Sequence, residues 1–430
     1  MPVAIHKTKF QEIKKAWTVK RPCVMCPSGA RRIKEAMSRK THPWGTPPWT
    51  VDFRPAASHL PGQVDFAIVG GGFTGLSTAA WLRKLAPKKS VLVLEASSLG
   101  EGASGRTGGL ALAETAAGPL PELGDVLAGY KKILRTLRVD ARLELPGVWE
   151  LGHSNPAKGS PISWNDSGNL QVVRTVPGGA VDPGKVVAGL ARAAEGAGAQ
   201  IAEHAEVQAI EYSNPLRLRV FQKVRARVQQ KGICASQILL ATNAFSLDLT
   251  ELYSATQPKL TLALATAPLT AAQLKTIGLS SRHPFYTIDL PYLWGRLLES
   301  NGIVFGAGLV PMPASIASLF SRPDKRSQQF ASQNLYRFDV RKGEAAESFR
   351  WLEDRVHRLH PALKSVRITH RWAGPILFTE GMRPVFRRHP RSESVLVLAG
   401  YNGHGVALSV YLGQWAAEAL LGCRLLPRWP

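Results

Sequence analysis

The first strong pattern in the chain is an apolar run, a glycine-rich turn, a helix-like segment and a second apolar run. Residues 64–69 predict a buried strand, and Leu76, Ala79 and Leu82 recur at the spacing of one helix face. The second run ends at Glu95 and predicts another strand. This order is a β-α-β unit and predicts a parallel sheet. We expect the packed body to begin near Val64.

Further periodic segments follow along the chain, and a proline-rich, irregular arm precedes the first strand. Gly and Pro mark the turns between them, and Asp182-Pro183 predicts a helix start. The predicted elements are an irregular arm at 43–62, a helix from 183, strands over 200–211, a hairpin arm over 216–228, an apolar strand ending at Ala241, a hairpin over 292–309 turning at Asn301-Gly302, an amphipathic helix over 344–360, and a strand-turn-helix over 394–422.

Composition sets the class of protein. The chain has 430 residues, of which 45% are hydrophobic, so it can bury a large core in two domains or in one domain with insertions. We find no apolar run of about 18 residues and no secretory signal, and four cysteines are too few for a disulfide framework. These features predict a globular enzyme in the cytoplasm, without a transmembrane segment.

The formal net charge of +23 changes this picture mainly at the N-terminus, where Lys and Arg are dense between Lys7 and Lys40. Such a field attracts anionic ligands, nucleic acid or an acidic membrane surface. The block has no recognisable nucleic-acid module, so no nucleic-acid partner is expected, and peripheral membrane binding stays a hypothesis. Cys23 and Cys26 form a C-x-x-C, but no second ligand pair exists, so no metal is expected.

The glycine turn carries the first chemistry. Gly70, Gly72 and Gly75 form G-x-G-x-x-G between the first strand and its helix. These glycines permit a tight turn, close approach of a pyrophosphate and close helix packing, while the helix N-terminus faces the phosphates. Glu95 follows where an acid accepts a hydrogen bond from the adenosine ribose. The unit predicts dinucleotide binding.

Two further motifs carry a resemblance to a known family. Residues 102–109 read GASGRTGG and residues 400–406 read GYNGHGV, with Trp372, Thr379 and Pro384 between them. The chain resembles the FAD-dependent amine and amino acid oxidase superfamily, which includes D-amino acid oxidase, and most closely the γ-glutamylputrescine oxidase-like branch. The usual Asn is Thr107 here and the usual Ser is Asn402. The branch usually has Ile-Gly where this chain has Arg387 and Arg388, so we expect the loop lining the flavin ring to differ from that of the branch.

The resemblance implies an α/β fold in which a Rossmann-like FAD-binding domain carries an inserted, mostly antiparallel α+β substrate domain. It implies non-covalent FAD, since Cys423 is badly placed for attachment, and it places Arg106 near the flavin edge. The implied segments are a basic extension at 1–42, FAD-binding parts at 43–118, 178–256 and 376–430, and substrate parts at 119–177 and 257–375. The predicted cofactor-binding residues are Gly70, Gly72, Phe73, Thr74, Gly75, Glu95, Ala96, Ala103, Ser104, Arg106, Thr107, Gly108, Gly109, Val207, Ala241, Thr242, Asn243, Gly403, His404, Gly405 and Val406.

The implied activity is oxidation of a C–N bond in a small amine or amino acid, with oxygen or a quinone-linked acceptor reoxidising the flavin. Candidate catalytic or substrate-contacting residues are Arg296, Tyr292 and Arg383, with Tyr286 and Trp294 as further aromatic candidates. Two alternatives stay open. One is an RNA-modifying flavoenzyme of the same fold, and the other is a flavin-binding protein without turnover.

Overall fold

The computed structural model describes residues 43–56, 59–224, 227–289, 292–307 and 338–429. The basic N-terminal block, with its C-x-x-C and its hypothetical membrane role, lies outside these residues. From Pro43 onward the chain forms one unit. Within the described ranges, no helix combines the length and apolar character needed to cross a bilayer.

The strands, in chain order, are β1 (Gln63–Val69), β2 (Val91–Leu94), β3 (Leu110–Leu112), β4 (Val148–Gly152), β5 (Trp164–Asn165), β6 (Asn169–Val176), β7 (Gly178–Ala180), β8 (Gln200–Ala202), β9 (Ala205–Glu211), β10 (Leu216–Val224), β11 (Arg227–Leu240), β12 (Thr256–Thr266), β13 (Phe285–Thr287), β14 (Leu293–Leu297), β15 (Ile303–Ala307), β16 (Ile368–Thr379), β17 (Val385–His389) and β18 (Ser392–Ala399). The helices are α1 (Phe73–Leu85), α2 (Ala103–Arg106), α3 (Val126–Thr136), α4 (Pro183–Gly196), α5 (Leu247–Thr250), α6 (Ala271–Thr276), α7 (Gly343–Leu359) and α8 (Gly405–Leu420). Short 3-10 turns cover Pro361–Leu363 and Glu380–Met382.

The first sheet contains the predicted β-α-β unit. Its order is β17-β18-β11-β1-β2-β8, and β9 and β10 extend it as a meander from β11. Strand β1 pairs in parallel with both β2 and β11. Ala67 and Val69 pack into one core cluster while Phe66 and Ile68 pack into another. Burial on both faces explains why β1 reads as a continuous apolar run.

The second sheet has the order β16-β12-β15-β14-β13-β4-β6-β5. Every pairing along it is antiparallel except that between β13 and β4. The hairpin of β14 and β15 turns at Asn301, whose φ of 63° is favoured by Asn. The two sheets confirm the predicted combination of a Rossmann-like part with an antiparallel part.

The arm before the first strand is irregular, as predicted, but it belongs to the packed body. Trp44 and Trp49 are buried, and Trp49 Nε1 donates to the Gly105 carbonyl at 2.8 Å. Gly45 forms an isolated bridge with Trp372 of β16. The expectation that the packed body begins near Val64 is therefore wrong, because large aromatic side chains anchor a segment that has no regular period.

Candidate active site

The glycines of the first turn are required by close backbone contacts. Gly70 has a φ of 109°, and a Cβ there would lie 2.7 Å from the Ala241 carbonyl oxygen. A Cβ on Gly75 would lie 2.0 Å from the Gly70 carbonyl oxygen, and one on Gly72 would lie 2.8 Å from Ser104 Oγ. Helix α1 therefore packs directly on the turn that precedes it, as the glycine spacing predicts.

The N-terminus of α1 is suited to an anion. Its N-cap is Gly72, which offers no side-chain hydrogen bond, and its first turn contains no acidic residue. The Phe73 N–H donates to Ser104 Oγ at 2.9 Å, so the segment around α2 lies against this helix end. Unpaired N–H groups and the positive end of the helix dipole attract phosphate.

Glu95 lies directly after β2, beside the same turn. Its carboxylate accepts the Gly71 N–H at 2.8 Å and the Ser97 N–H at 2.9 Å. Burial raises the pKa of Glu95, and these two N–H donors act in the opposite direction. Each carboxylate oxygen can accept a second hydrogen bond, so the group can still bind a sugar hydroxyl. Ala96 is exposed next to it, and Val207 lies on β9, whose first residue Ala205 donates to the Glu95 carbonyl.

Arg106 is a buried link between the second glycine segment and the arm. Its Nε donates to the Glu101 carbonyl at 2.8 Å and its Nη1 donates to the Gly45 carbonyl at 3.0 Å. The guanidinium lies 5.6 Å from the Trp44 ring centroid. Burial lowers the pKa of Arg106 to about 10. These contacts tie the arm to α2, a role that the resemblance did not suggest.

Trp294 joins the second glycine segment to the second sheet. A Cβ on Gly108 would lie 2.1 Å from the Trp294 ring, and a Cβ on Gly306 would lie 2.0 Å from it. The indole therefore lies between Gly108 and the hairpin of β14 and β15. Thr107 and Gly109 lie on either side of Gly108. Gly109 has a φ of 84°, and a side chain there would collide with the Val181 carbonyl oxygen.

Arg296 lies two residues farther along β14 and is 6% exposed. Its Nε donates to the Gly108 carbonyl at 2.5 Å, and its Nη1 donates to the Leu297 carbonyl at 3.2 Å. Burial lowers the pKa of Arg296 to about 10. Its Nη2 is buried without a hydrogen-bond partner among the described residues. Arg296 therefore holds Gly108 from the side of the second sheet.

The strand-end segment Ala241-Thr242-Asn243 meets the C-terminal glycine turn. The Ala241 N–H donates to the Val69 carbonyl, and Asn243 Oδ1 accepts the Gly400 N–H at 2.9 Å. Asn243 adopts a φ of 50°, a conformation that Asn tolerates. Within the described ranges, the buried Thr242 hydroxyl has no hydrogen-bond partner. The segment thus follows β11 and connects the end of β1 with the C-terminal glycine turn.

The C-terminal turn brings a second helix N-terminus to α1. Tyr401 Oη and Thr74 Oγ1 are 2.5 Å apart, which joins the turn to the first turn of α1. His404 is the N-cap of α8, and burial lowers its pKa. Asn402 adopts a φ of 53°, and its Nδ2 donates to Thr379 Oγ1 at 3.0 Å. Gly403, Gly405 and the buried Val406 complete the turn and begin α8.

The remaining substrate candidates are dispersed. Tyr292 is 43% exposed just before β14, and the Arg383 carbonyl accepts the Thr379 hydroxyl at 2.5 Å on the segment before β17. Arg388 lies on β17, and its Nη2 donates to the Ala419 carbonyl at the C-terminal end of α8. That end is about 20 Å from His404 along the helix. Arg387 and Arg388 therefore lie on an edge strand and not in a loop, and the expected difference in the loop lining the flavin ring stays a prediction.

One polar cluster on the second sheet was not predicted from the sequence. Glu150, on β4, is buried and accepts hydrogen bonds from Tyr286 Oη at 2.6 Å and from Arg174 Nη2 at 3.2 Å. An available signal was the single acid in the apolar run VWELG. A charge placed in a buried strand needs a partner.

The geometry agrees with a comparison against protein families. The model of the family DAO, described as FAD dependent oxidoreductase, matches residues 65–172 and 163–419. The chain belongs to this family.

Curated proteins resemble this chain over most of their length. Gamma-glutamylputrescine oxidoreductase of Escherichia coli is 25% identical over 83% of this chain and 84% of its own. Probable oxidoreductase OrdL of Haemophilus influenzae is 26% identical over 84% of this chain and 83% of its own. This agrees with the predicted branch.

Solved structures share the fold. Glycine oxidase from Bacillus cereus superposes with a TM-score of 0.62 at 19% identity, covering 84% of this chain and 98% of that one. L-Amino acid deaminase from Proteus myxofaciens superposes with a TM-score of 0.63 at 15% identity, covering 89% and 94%. These likenesses support the two-sheet architecture.

FAD is the cofactor of this DAO-family enzyme, and the described residues fit it. The turn at Gly70 and Gly72 has no room for a Cβ, and the N-cap residue of α1, Gly72, has no side chain to cap the helix. The Glu95 carboxylate lies beside that turn. These features would receive a pyrophosphate and a ribose.

Proposed function

We propose that this enzyme oxidises a C–N bond of a small amine or of an N-substituted or D-amino acid. The observation that carries the proposal is the contact of Trp294 with Gly108. This contact brings the second sheet, which we call the substrate sheet, directly against residues 103–109. We call these residues, together with 70–75 and 403–406, the FAD cradle. A substrate held on that sheet would lie beside the cofactor. The family supplies the reaction class, and the names of the relatives point to amines and amino acids.

The glycine turns and Glu95 would hold FAD, which would supply a two-electron acceptor for the hydride that leaves the carbon next to the amine nitrogen. The amine must be neutral for this step, so a proton leaves the ammonium form before transfer. The remaining substrate is an iminium cation, and addition of water gives a carbonyl product and a protonated amine or ammonium. The chain's part is to orient the α-C–H and to exclude water from the reacting face.

The chain's own groups support these tasks. Trp294 provides an apolar surface next to Gly108, and Arg296 holds the Gly108 carbonyl by a hydrogen bond from its Nε. The α8 N-terminus, with His404 at its N-cap, offers a positive helix end that would favour negative charge on the reduced cofactor. Arg383 and Tyr292 stay proposed substrate contacts.

We also propose that FAD is held without a covalent bond. Of the two cysteines in the described residues, Cys423 follows α8 and is exposed, and Cys234 lies on β11 paired with β1. Neither lies at the glycine turns. Denaturation in acid followed by filtration tests this, because flavin that stays with the protein would contradict it.

The experiment is an anaerobic absorbance titration of the purified, flavin-loaded protein with amines and amino acids, followed by air. Bleaching of oxidised flavin by one substrate class supports the proposal and names that class. Recovery on aeration identifies oxygen as an acceptor, and recovery only with an added quinone identifies a dehydrogenase. Flavin that no amine reduces would contradict amine oxidation and favour a binding role. Reduction or binding only with RNA present would favour RNA modification.

A further inference from the structure

Four side chains form a row across the second sheet. Arg174 on β6 pairs with Glu150 on β4, Glu150 pairs with Tyr286 on β13, and Tyr286 pairs with Trp294 on β14. Residues paired across strands point to the same face of a sheet. Since Trp294 contacts Gly108, the whole row lies on the face that meets the FAD cradle.

The row is joined by hydrogen bonds. Glu150 is 6% exposed, and its carboxylate accepts two bonds from Arg174, through Nε and Nη2, and one from Tyr286 Oη. Burial raises the pKa of Glu150, but the bonds from Arg174 and Tyr286 outweigh it, so the net pKa lies below its usual value. Glu150 is thus an ionised, buried acceptor held on two sides.

Arg174 is the exposed end of this row. Its side chain is 67% exposed, although its guanidinium is fixed by Glu150. A guanidinium held on one edge by a carboxylate keeps N–H donors on its other edges, in a plane that suits a second carboxylate. The orientation is set before any ligand arrives, which lowers the entropic cost of binding.

Glu114 relates this row to the rest of the site. It lies two residues beyond β3, on the chain that continues from Gly108. Its charge acts on the pKa of Arg174, of Tyr286 and of His404 at the start of α8. Arg174 also shares a row with Trp294, whose ring lies against Gly108, so the strand pairing places it on the face that meets the second glycine segment.

We propose that Arg174 binds a carboxylate at the far end of the amine substrate, with Glu150 and Tyr286 as positioning residues. Three strand spacings separate β14 from β6, which is about 14 Å. The group that Arg174 recognises is therefore several bonds away from the carbon that loses hydride. The substrate class is an extended amine with a terminal carboxylate. This inference rests on the proposed amine oxidation.

The test compares two amines of equal length on flavin-loaded protein, ε-aminocaproate and hexylamine. Kd values come from calorimetric titration of protein whose flavin has first been reduced with dithionite, so they do not depend on turnover, and flavin reduction is followed in parallel on oxidised protein. The wild type should prefer ε-aminocaproate. In Arg174→Gln, the ratio of the two Kd values should fall by roughly 10- to 100-fold, because a charge-assisted bond to the carboxylate is lost.

Arg350→Gln is the matched control. Arg350 lies on α7, its side chain is 72% exposed, and it forms one ion pair with Glu347. The same chemical change there should leave the ratio as in the wild type. Arg174→Lys keeps the charge but loses the planar fork, so it should give an intermediate ratio, and it serves if Arg174→Gln does not load FAD.

The inference is overturned if the wild type binds both amines equally, or if its preference for ε-aminocaproate survives in Arg174→Gln and Arg174→Lys. The proposed function fails separately, if neither these amines nor the broader panel reduces the flavin. In that case the Kd ratios still decide whether Arg174 recognises carboxylate.

Discussion

The two sheets supply the candidate site in different ways. On the first sheet, the groups that would receive FAD come from short contiguous segments, 70–75, 103–109 and 403–406. On the second sheet, the polar row is assembled across strands, and the bond between Tyr286 and Glu150 joins residues 136 positions apart. Each cofactor segment is thus contiguous in sequence, although long-range contacts such as that of Tyr401 with Thr74, 327 positions apart, bring the segments together. The proposed substrate side has no contiguous segment and depends on sheet register.

This difference predicts different tolerance to change. At Gly70 and Gly75 a side chain would meet a backbone carbonyl oxygen, which cannot move away without disturbing the sheet. In the row the contacts are between side chains, which can adjust or be replaced in pairs. Substitutions on the first sheet should therefore abolish cofactor binding, while those on the second should alter rate, selectivity or stability by degrees.

The largest effect is expected for Gly75→Ala. Its Cβ would lie 2.0 Å from the Gly70 carbonyl oxygen, so α1 must shift away from the phosphate turn. FAD affinity should fall by roughly 100-fold or more, since overpacking of this kind costs about 1–3 kcal/mol and also displaces the binding N–H groups. Quenching of flavin fluorescence on titration measures the affinity.

The control is Gly196→Ala at the end of α4, where a Cβ meets nothing within 4 Å. That variant should bind FAD like the wild type. Equal affinity in both variants would mean that the close packing of α1 on its turn has no part in holding the cofactor.

A smaller effect is expected for Gly108→Ala, where the two sheets meet. The new Cβ would lie 2.1 Å from the Trp294 ring. Because this contact is with a side chain, it can be relieved by a second substitution at Trp294, unlike the backbone contact at Gly75. The rate of flavin reduction should fall about 10- to 100-fold through misplacement at the junction. Stopped-flow absorbance with the best substrate measures it.

The double variant Gly108→Ala/Trp294→Ala sharpens the comparison. Removal of the indole relieves the contact, so the double variant should reduce its flavin faster than Gly108→Ala alone. If the double variant is slower than both single variants, the damage arises from Gly108 itself rather than from its contact with Trp294.

The same difference explains what the sequence predicted. Gly70, Gly72 and Gly75 are required by local backbone conformation and close approach, and those demands are visible in a short motif. Glu150 carries only the weaker signal of one acid in an apolar run, and nothing in the sequence identifies Arg174 as its partner, because their partnership depends on which strands pair and in which register. Trp44 and Trp49 escaped for a related reason, since a proline-rich arm has no periodicity to show which side chains are buried.

A moderate effect is expected for Tyr286→Phe, which removes one donor to Glu150 and leaves Arg174 in place. The loss should be about 1 kcal/mol in the free energy of unfolding, as for a single hydrogen bond to a charged group at a half-buried site. Urea unfolding of the flavin-loaded protein measures it. Tyr212→Phe, which removes a hydroxyl next to His389 Nε2, should cost less, and a larger loss there would contradict the special role of the row.

The smallest effect is expected in the pH dependence of stability, and it concerns His404 at the N-cap of α8. Burial lowers its folded-state pKa below the usual 6.5, so the unfolded chain binds the proton first as pH falls. The stability that comes from keeping His404 neutral is complete above pH 6.5 and is lost as pH falls through the lowered pKa. Thermal unfolding between neutral and mildly acidic pH should thus show a smaller decline in His404→Gln than in the wild type. The exposed His59→Gln is the control. Identical declines in all three proteins would show that His404 can take up a proton in the folded state without cost, and the α8 N-terminus would then be open to water rather than closed over the cofactor.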